Sequence, residues 1–179
     1  LEAMEEQHVT IDGETLPLPA PFFVLATQNP VESESTFRLP AAQMDRFLMR
    51  LSMGYPDAAE EAQMLRNLGD AMPFDQVRAV TGPEGILALR ASLQNIQVSD
   101  AVTEYIVALV AATRGCPGVA MGASPRASSA LFSVAKAWAA MRGRAFVTPD
   151  DVQYRARVVL PHRLRLESEA EGGGGRGER

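Results

Sequence analysis

LATQNPVESESTFRLPAAQMDRF, residues 25–47, is the stretch that best indicates both the fold and the chemistry of this chain. Its first residues belong to a short apolar run, Phe22–Ala26, that lies between Pro21 and Pro30. An apolar run without polar alternation is typical of a strand buried on both faces, as in a parallel sheet covered by helices. We therefore predict a central parallel strand at Phe22–Ala26.

Polar side chains crowd the end of this predicted strand. Thr27, Gln28 and Asn29 follow it directly, and ligands bind beyond the carboxyl ends of the strands in open α/β sheets. The Asn29 carboxamide would be well placed there to orient a water molecule or a phosphate. The alternative is an ordinary strand-to-loop turn, because Asn followed by Pro is common in turns.

An adjacent acid and base, Asp45 and Arg46, come after a short helix expected at Pro40–Asp45 and before a second apolar run, Phe47–Met53. Alternating residues in that run predict a strand with one wetter face, at a sheet edge. Arg46 is then either a solvated flank of this strand or a cation that reaches a phosphate bound by another subunit.

The composition limits the functions that this chain can serve. It has 179 residues, 46% of them hydrophobic, and a net charge of -5, which argues against a nucleic-acid surface. His8 and His162 lie far apart in sequence and offer no metal-binding spacing. The single cysteine, Cys116, excludes an internal disulfide, and we expect it to be buried. No apolar run reaches the roughly 18 residues of a membrane span, and we expect a cytoplasmic location.

The remaining segments predict a hairpin followed by helices. Val9–Leu16 alternates apolar and polar residues around Asp12-Gly13, a strong hairpin signal. After the hairpin, the apolar spacing and the cap residues predict helices that begin near Asp57, Pro83, Ser99, Ser124 and Thr148. In the last two helices we expect Trp138 in the core, and a solvated face formed by Arg155, Arg157, Arg163 and Arg165.

Ser124-Pro125-Arg126, at the start of one of these helices, departs from the usual charge preference of a helix N-terminus. Ser is a good N-cap and Pro a good first residue, yet Arg126 in the first turn opposes the positive helix end, at a cost of about 0.3–1 kcal/mol. An anion bound at this end would offset that cost. The alternative is that Arg126 swings back to a nearby carboxylate.

Three motifs closely resemble the MoxR family of AAA+ ATPases: ATQNP at 26–30, the ESEST-F-R-LP-AAQ-M-DRF pattern that ends at Phe47, and GYP at 54–56. GASPRA at 122–127 resembles the sensor-2 element of that family's lid. The resemblance implies an α/β part followed by an all-α part. The first would be the C-terminal half of an AAA+ P-loop NTPase core, with a parallel sheet and a hairpin insert, at 1–54. A helical lid domain at 55–166 and a disordered Gly- and Glu-rich tail at 167–179 would follow.

The resemblance also implies roles for individual residues. Asn29 would be the sensor-1 residue that orients the attacking water, Arg46 the arginine finger that reaches the γ-phosphate bound by an adjacent subunit, and Arg126 the sensor-2 residue that links the phosphate to the lid. Asn29 and Arg126 would thus bind the cofactor as well as serve catalysis. Asp45 and Glu34 are candidates for supporting polar roles.

The implied cofactors are ATP and Mg²⁺, and the implied activity is ATP hydrolysis that remodels or matures partner proteins. The implied assembly is a ring, expected to be a hexamer when full length, and the implied partners are proteins with a von Willebrand factor A domain, with no nucleic acid and no membrane span. The hairpin would be a pore-facing insert or, equally, an ordinary surface hairpin.

Residues 1–179 contain neither a G-x-x-x-x-G-K-[ST] phosphate loop nor an apolar strand that ends in Asp-Glu. Phosphoryl transfer needs both to hold the phosphates and Mg²⁺, so we expect this polypeptide to be inactive alone. Without neighbouring strands, we expect either self-association that covers an open sheet or a rearranged N-terminal part, with an independently folded lid. The alternative function is a non-enzymatic assembly module that docks on a partner through the hairpin and the lid helices.

Overall fold

A computed structural model describes residues 2–28, 39–67 and 77–167 of the chain. The helices in these ranges are α1 (Glu2–Glu5), α2 (Ala41–Met44), α3 (Ala58–Arg66), α4 (Pro83–Ser92), α5 (Asp100–Ala112), α6 (Pro125–Met141) and α7 (Pro149–Val159). The strands are β1 (His8–Ile11), β2 (Glu14–Pro17), β3 (Val119–Met121) and β4 (Arg165–Leu166). Short 3-10 turns lie at Leu93–Asn95, Thr113–Gly115 and Pro161–Arg163.

The predicted N-terminal hairpin is confirmed. Strands β1 and β2 pair antiparallel, with Ile11 opposite Glu14. The two turn residues, Asp12 and Gly13, have φ values of 51° and 83°. A two-residue turn with positive φ at both positions matches the twist of the flanking strands, and Asp-Gly is among the sequences that tolerate it best.

The central parallel strand predicted at Phe22–Ala26 and the edge strand predicted at Phe47–Met53 are not formed. Both segments lack regular extended pairing, and Phe23 and Leu25 are 67% and 95% exposed. The sheets of the described residues are two-stranded and antiparallel, formed by β1 with β2 and β3 with β4. A central parallel strand needs neighbours on both sides for its backbone groups, and the described ranges provide none. Among the described residues, the N-terminal part therefore carries the β1–β2 hairpin without a parallel sheet.

The helices begin at the residues that the sequence indicates. The Asp57 side chain accepts hydrogen bonds from two backbone amides of α3, while Ser99, Ser124 and Thr148 each accept one at the starts of α5, α6 and α7. Such a cap contributes about 0.5–2 kcal/mol because it satisfies an amide that has no partner within the helix. Pro83 opens α4.

The apolar core lies between α5, α6 and α7. Its largest fully buried side chains are Ile106, Val110, Leu131, Val152 and Val159. Two of them lie four residues apart on α5, as on the buried face of an amphipathic helix. Truncating such a side chain typically costs about 2–5 kcal/mol, so these three helices are the stable frame on which the other elements rest.

Three side chains lie elsewhere than predicted. Trp138 is half-buried rather than in the core, and the guanidinium carbons of Arg142 and Arg155 lie 4.6 and 3.7 Å from its ring centroid. Cys116 is exposed, since it directly follows the 3-10 turn after α5. Arg163 is buried, with 8% exposure, because it binds the segment after α2, as shown below. The predicted solvated arginine face is therefore wrong for Arg163.

Asp151 stabilises the start of α7 through a carboxylate with four hydrogen-bond donors. Arg144 donates from Nη1 and Nη2 at 2.8 and 2.6 Å, and the Thr148 amide and hydroxyl donate at 2.8 and 2.9 Å. The Arg144 hydrogen bonds, helped by those of Thr148, lower the pKa of Asp151 below its ordinary value against the opposing effect of burial. This stabilisation is complete above the unfolded-state pKa, about 3.9, and is lost as the pH falls through the lower folded-state pKa.

Replacing Asp151 with Asn is therefore expected to lower the free energy of unfolding at pH 7 by about 1–3 kcal/mol. The same change should flatten the loss of stability below about pH 4, because it removes this titration. Urea unfolding at a series of pH values measures both effects. Asp150→Asn, an exposed change in the same helical turn, is the matched control, and an unaltered acid slope in Asp151→Asn would contradict the assignment.

Candidate functional site

Arg46 lies in the turn that ends α2, and the residues after it run along the three-helix core. Asp45 is the C-terminal cap of α2, which confirms the short helix predicted there. The Arg50 amide donates to the Val158 carbonyl of α7 at 2.9 Å, and Met49 packs against the apolar core. The segment 45–50 is therefore attached to α7 instead of forming a sheet edge.

The buried Arg163 side chain fixes the backbone on both sides of Arg46. Its Nε donates to Asp45 Oδ1 at 3.0 Å, and its Nη2 donates to the carbonyl oxygens of Asp45 and Phe47 at 3.2 and 2.6 Å. Its Nη1 donates to the Leu48 carbonyl at 3.2 Å and to a carbonyl at the end of α7. Burial lowers the pKa of Arg163 from its ordinary value, while the Asp45 carboxylate opposes this effect. The planar fork of one guanidinium thus binds the carbonyls that flank Arg46.

His162 holds the same segment from the neighbouring position. Its Nε2 lies 3.0 Å from the Phe47 carbonyl oxygen, so this nitrogen carries the proton and donates. Its Nδ1 is buried and has no hydrogen-bond partner among the described residues. Burial lowers the pKa of His162 below its ordinary value, which favours the neutral ring that this contact requires.

Asp45 also connects this segment to the start of α6. The Ser124 hydroxyl donates to Asp45 Oδ2 at 2.7 Å and accepts from the Arg126 amide at 3.2 Å. Two hydrogen bonds therefore join the backbone of Arg126 to the carboxylate of the residue that precedes Arg46.

The loop before α6 is closely packed against the 3-10 turn that follows α5. The Ala123 amide donates to the Thr113 hydroxyl at 3.0 Å, and Arg114 Nε donates to the Ala123 carbonyl at 3.0 Å. A Cβ on Gly122 would lie 2.6 Å from Arg114 Cα, so only glycine fits at this position. The first residues of the GASPRA sequence are thus held in place before the helix begins.

Hydrogen bonds join the side chain of Asp45, next to Arg46, to the backbone of Arg126, and both arginines are predicted site residues. Arg46 is half-buried in the turn after α2, and Arg126 is exposed in the first turn of α6. Asn29 and Glu34 lie outside the described residues, so the expectations for them stay predictions. The tail expected to be disordered lies outside the described residues from position 168 onward.

Sequence reasoning missed the part that Arg163 and His162 play. The sequence did contain a signal for a buried Arg163, because this residue lies between two apolar residues. Leu160 is buried and Leu164 packs against the core. A cation placed in an apolar stretch needs a buried partner. The partner, Asp45, lies 118 residues away in sequence, which is why the local pattern did not reveal it.

The described ranges show neither a metal site nor a membrane helix. In them, no three His, Cys, Asp or Glu side chains are grouped closely enough to hold a metal ion. Their helices also fall short of the length and apolar character that crossing a bilayer requires.

Comparison with known proteins identifies the class of protein that has these features. Residues 1–49 match the model for the ATPase family associated with various cellular activities (AAA), and residues 111–178 match the AAA lid domain. A solved structure of a protein assigned as an ATPase, from Cytophaga hutchinsonii, superposes with a TM-score of 0.84 at 38% identity and covers 97% of this chain and 55% of that one. These matches define the class as that of the AAA+ ATPases. They confirm the predicted fold class of an α/β part followed by a helical lid, although no parallel sheet forms among the described residues.

Curated relatives give the family. The uncharacterized Bacillus subtilis protein YeaC is 48% identical over 96% of this chain and 53% of its own length. The Mycobacterium tuberculosis protein named Chaperone MoxR1 is 41% identical over 95% of this chain and 47% of its own length. The chain belongs to the MoxR family of AAA+ ATPases, and it spans about half the length of these curated relatives.

Proposed function

We propose that this chain supplies the sensor, arginine-finger and lid elements of a MoxR-type AAA+ ATPase that hydrolyses ATP to remodel or mature partner proteins. The observation that carries the proposal is the link from the Arg126 amide through Ser124 to Asp45, next to Arg46. This link connects the backbone supports of Arg46 and Arg126, two arginines that suit phosphate binding. The family match and the relative named as a chaperone support the same activity.

Arg46 is proposed to act as the arginine finger. A guanidinium stays charged at any physiological pH and can bind two phosphate oxygens at once. The carbonyls on either side of Arg46 are fixed by Arg163, so little ordering of the backbone is needed when the finger meets its phosphate. Such a finger stabilises the charge that develops on the transferring phosphoryl group.

Arg126 is proposed to act as the sensor-2 residue. It is exposed in the first turn of α6, a helix of 17 residues. The positive end of a helix and the guanidinium both favour a phosphate at this place. Asn29 is proposed to orient the attacking water, with Glu34 and Asp45 in supporting polar roles, as the family resemblance implies.

ATP supplies the transferred phosphoryl group when it is bound, and Mg²⁺ neutralises part of its charge. The exposed Arg126 and the half-buried Arg46 fit the anionic phosphates of such a ligand. No acidic cluster in the described ranges suits a metal ion, so the proposal assigns no Mg²⁺ ligand to these residues.

The proposed mechanism requires an assembly, because an arginine finger completes the site of a neighbouring subunit. AAA proteins are typically oligomeric, and we propose a hexameric ring for the full-length protein, in the cytoplasm. Proteins with a von Willebrand factor A domain are the proposed partners. We further propose a core part at 1–54 and a lid domain at 55–166.

The purified 179-residue chain is expected to show no ATP hydrolysis above background and only weak ATP binding, because its sequence contains no phosphate loop. Joining it to the upstream half of the Bacillus subtilis relative should restore turnover. Phosphate release and calorimetric titration with ATP measure the two quantities. Robust turnover by the chain alone would contradict the proposal. Absence of turnover after the upstream half is supplied would instead favour the non-enzymatic assembly module.

A further inference from the structure

Asp45 contacts the supports of both proposed phosphate-binding arginines. Its Oδ2 accepts from the Ser124 hydroxyl, which in turn accepts from the Arg126 amide. Its Oδ1 accepts from Arg163 Nε, and the same guanidinium donates to the carbonyls before and after Arg46. We infer that Asp45 is a positioning residue that couples the placement of Arg126 on the lid to the presentation of Arg46. The inference rests on the proposed function.

The geometry makes this connection stiff. The Asp45 side chain is 18% exposed, and that of its partner Arg163 is 2% exposed. Hydrogen bonds to an ionised group are shorter and stronger than neutral ones, and water competes little for them in a shielded site. Because each carboxylate oxygen has its own donor, moving Ser124 away from Asp45 would remove the donor of Oδ2, which is costly for a largely shielded charge. The start of α6 and the turn after α2 therefore move together.

The coupling joins two different nucleotide sites. In the proposed assembly, Arg126 contacts the nucleotide of its own subunit, whereas Arg46 reaches the nucleotide of the neighbour. A displacement of α6 when ATP binds would be passed through Ser124 and Asp45 to the arginine finger. Asp45 thus links consecutive sites around the ring, and its loss should appear in the cooperativity of turnover.

A purely structural ion pair is the competing explanation, and the chain contains a matched control for it. Asp151 also accepts hydrogen bonds from an arginine fork and from a hydroxyl at the start of a helix. It lies at the start of α7, and it contacts the support of neither Arg46 nor Arg126 among the hydrogen bonds of the described residues. A loss of stability alone should therefore appear in Asp151→Asn, whereas a loss of coupling should appear only in Asp45→Asn.

The test uses the complete ATPase formed by this chain and the upstream half of the Bacillus subtilis relative. Asp45→Asn is expected to lower kcat about 10–100-fold and to leave KM for ATP within about threefold, because the finger acts mainly on the transition state. The Hill coefficient for ATP should fall towards one. Asp151→Asn should lower the melting temperature while kcat and the Hill coefficient stay at the wild-type values.

Two substitutions at Ser124 isolate the link itself. Ser124→Ala leaves the ion pair between Asp45 and Arg163 intact and should reproduce the loss of cooperativity, also if Asp45→Asn fails to fold. Ser124→Thr keeps the hydroxyl and should retain the cooperativity. Equal kinetic losses in Asp45→Asn and Asp151→Asn, or an unchanged Hill coefficient in Ser124→Ala, would overturn the inference. Absence of turnover in the wild-type assembly would refute the proposed function itself, and the inference would fail with it.

Discussion

Replacing Arg46 with alanine is expected to lower kcat of the complete assembly by about 10³–10⁵-fold, the usual contribution of an arginine finger. Arg46 would neutralise charge that appears only as the γ-phosphoryl group is transferred, so its loss should hardly change the ground state. The affinity for ATP should accordingly stay within about threefold of the wild-type value. Single-turnover phosphate release and equilibrium titration with ATP separate the two effects.

Control variants distinguish the finger from a general loss of positive charge. Arg46→Lys keeps the charge but loses the planar fork, and most of the kcat loss should remain. Arg50→Ala removes an exposed cation from the same segment and should change kcat by less than about twofold.

Mixing two inactive variants tests whether Arg46 acts across a subunit boundary. Subunits that carry Arg46→Ala still hold ATP, whereas subunits with a disabled phosphate loop in the supplied upstream half still carry the finger. In mixed rings some interfaces then contain both functional parts, so the mixture should recover part of the turnover that neither variant has alone. If the mixture stays inactive while mixed rings form, Arg46 does not act in a neighbouring site.

The features that could be predicted from the sequence are those encoded locally. Asp57, Ser99 and Thr148 cap helices because a short polar side chain can reach the amides two or three residues ahead. The Asp12-Gly13 turn likewise depends only on the backbone preferences of its two residues. These elements therefore appear in the structure where they were expected.

The predictions that were wrong concern partners distant in the chain. Phe22–Ala26 has the composition of a buried strand, but a strand also needs neighbours, and the described ranges contain none for it. The pairs that build the site are equally non-local, since Asp45 lies 79 residues from Ser124 and 118 residues from Arg163. A family motif could mark Arg46 and Arg126 as candidates, but only the folded chain reveals what connects them.

Replacing Arg163 with methionine is expected to lower the free energy of unfolding by about 3–5 kcal/mol, because it leaves the Asp45 carboxylate in a shielded site without its cationic partner. The carbonyls of Asp45, Phe47 and Leu48 lose a donor as well. Urea unfolding of the 179-residue chain measures the loss. Arg165→Met, an exposed change on β4, should alter stability by less than about 0.5 kcal/mol.

The same substitution should act locally, because Arg163 joins the segment 45–50 to a core that α5, α6 and α7 form without it. The Arg50 amide, bonded to the Val158 carbonyl, should lose protection from hydrogen exchange before the buried amides of α5 do. Adding Asp45→Asn to Arg163→Met should restore part of the stability, since a neutral amide is less costly to bury unpaired than a carboxylate. A loss below about 1 kcal/mol, as for an exposed ion pair, would contradict the anchoring role of Arg163 and would remove the rigid support proposed for Arg46.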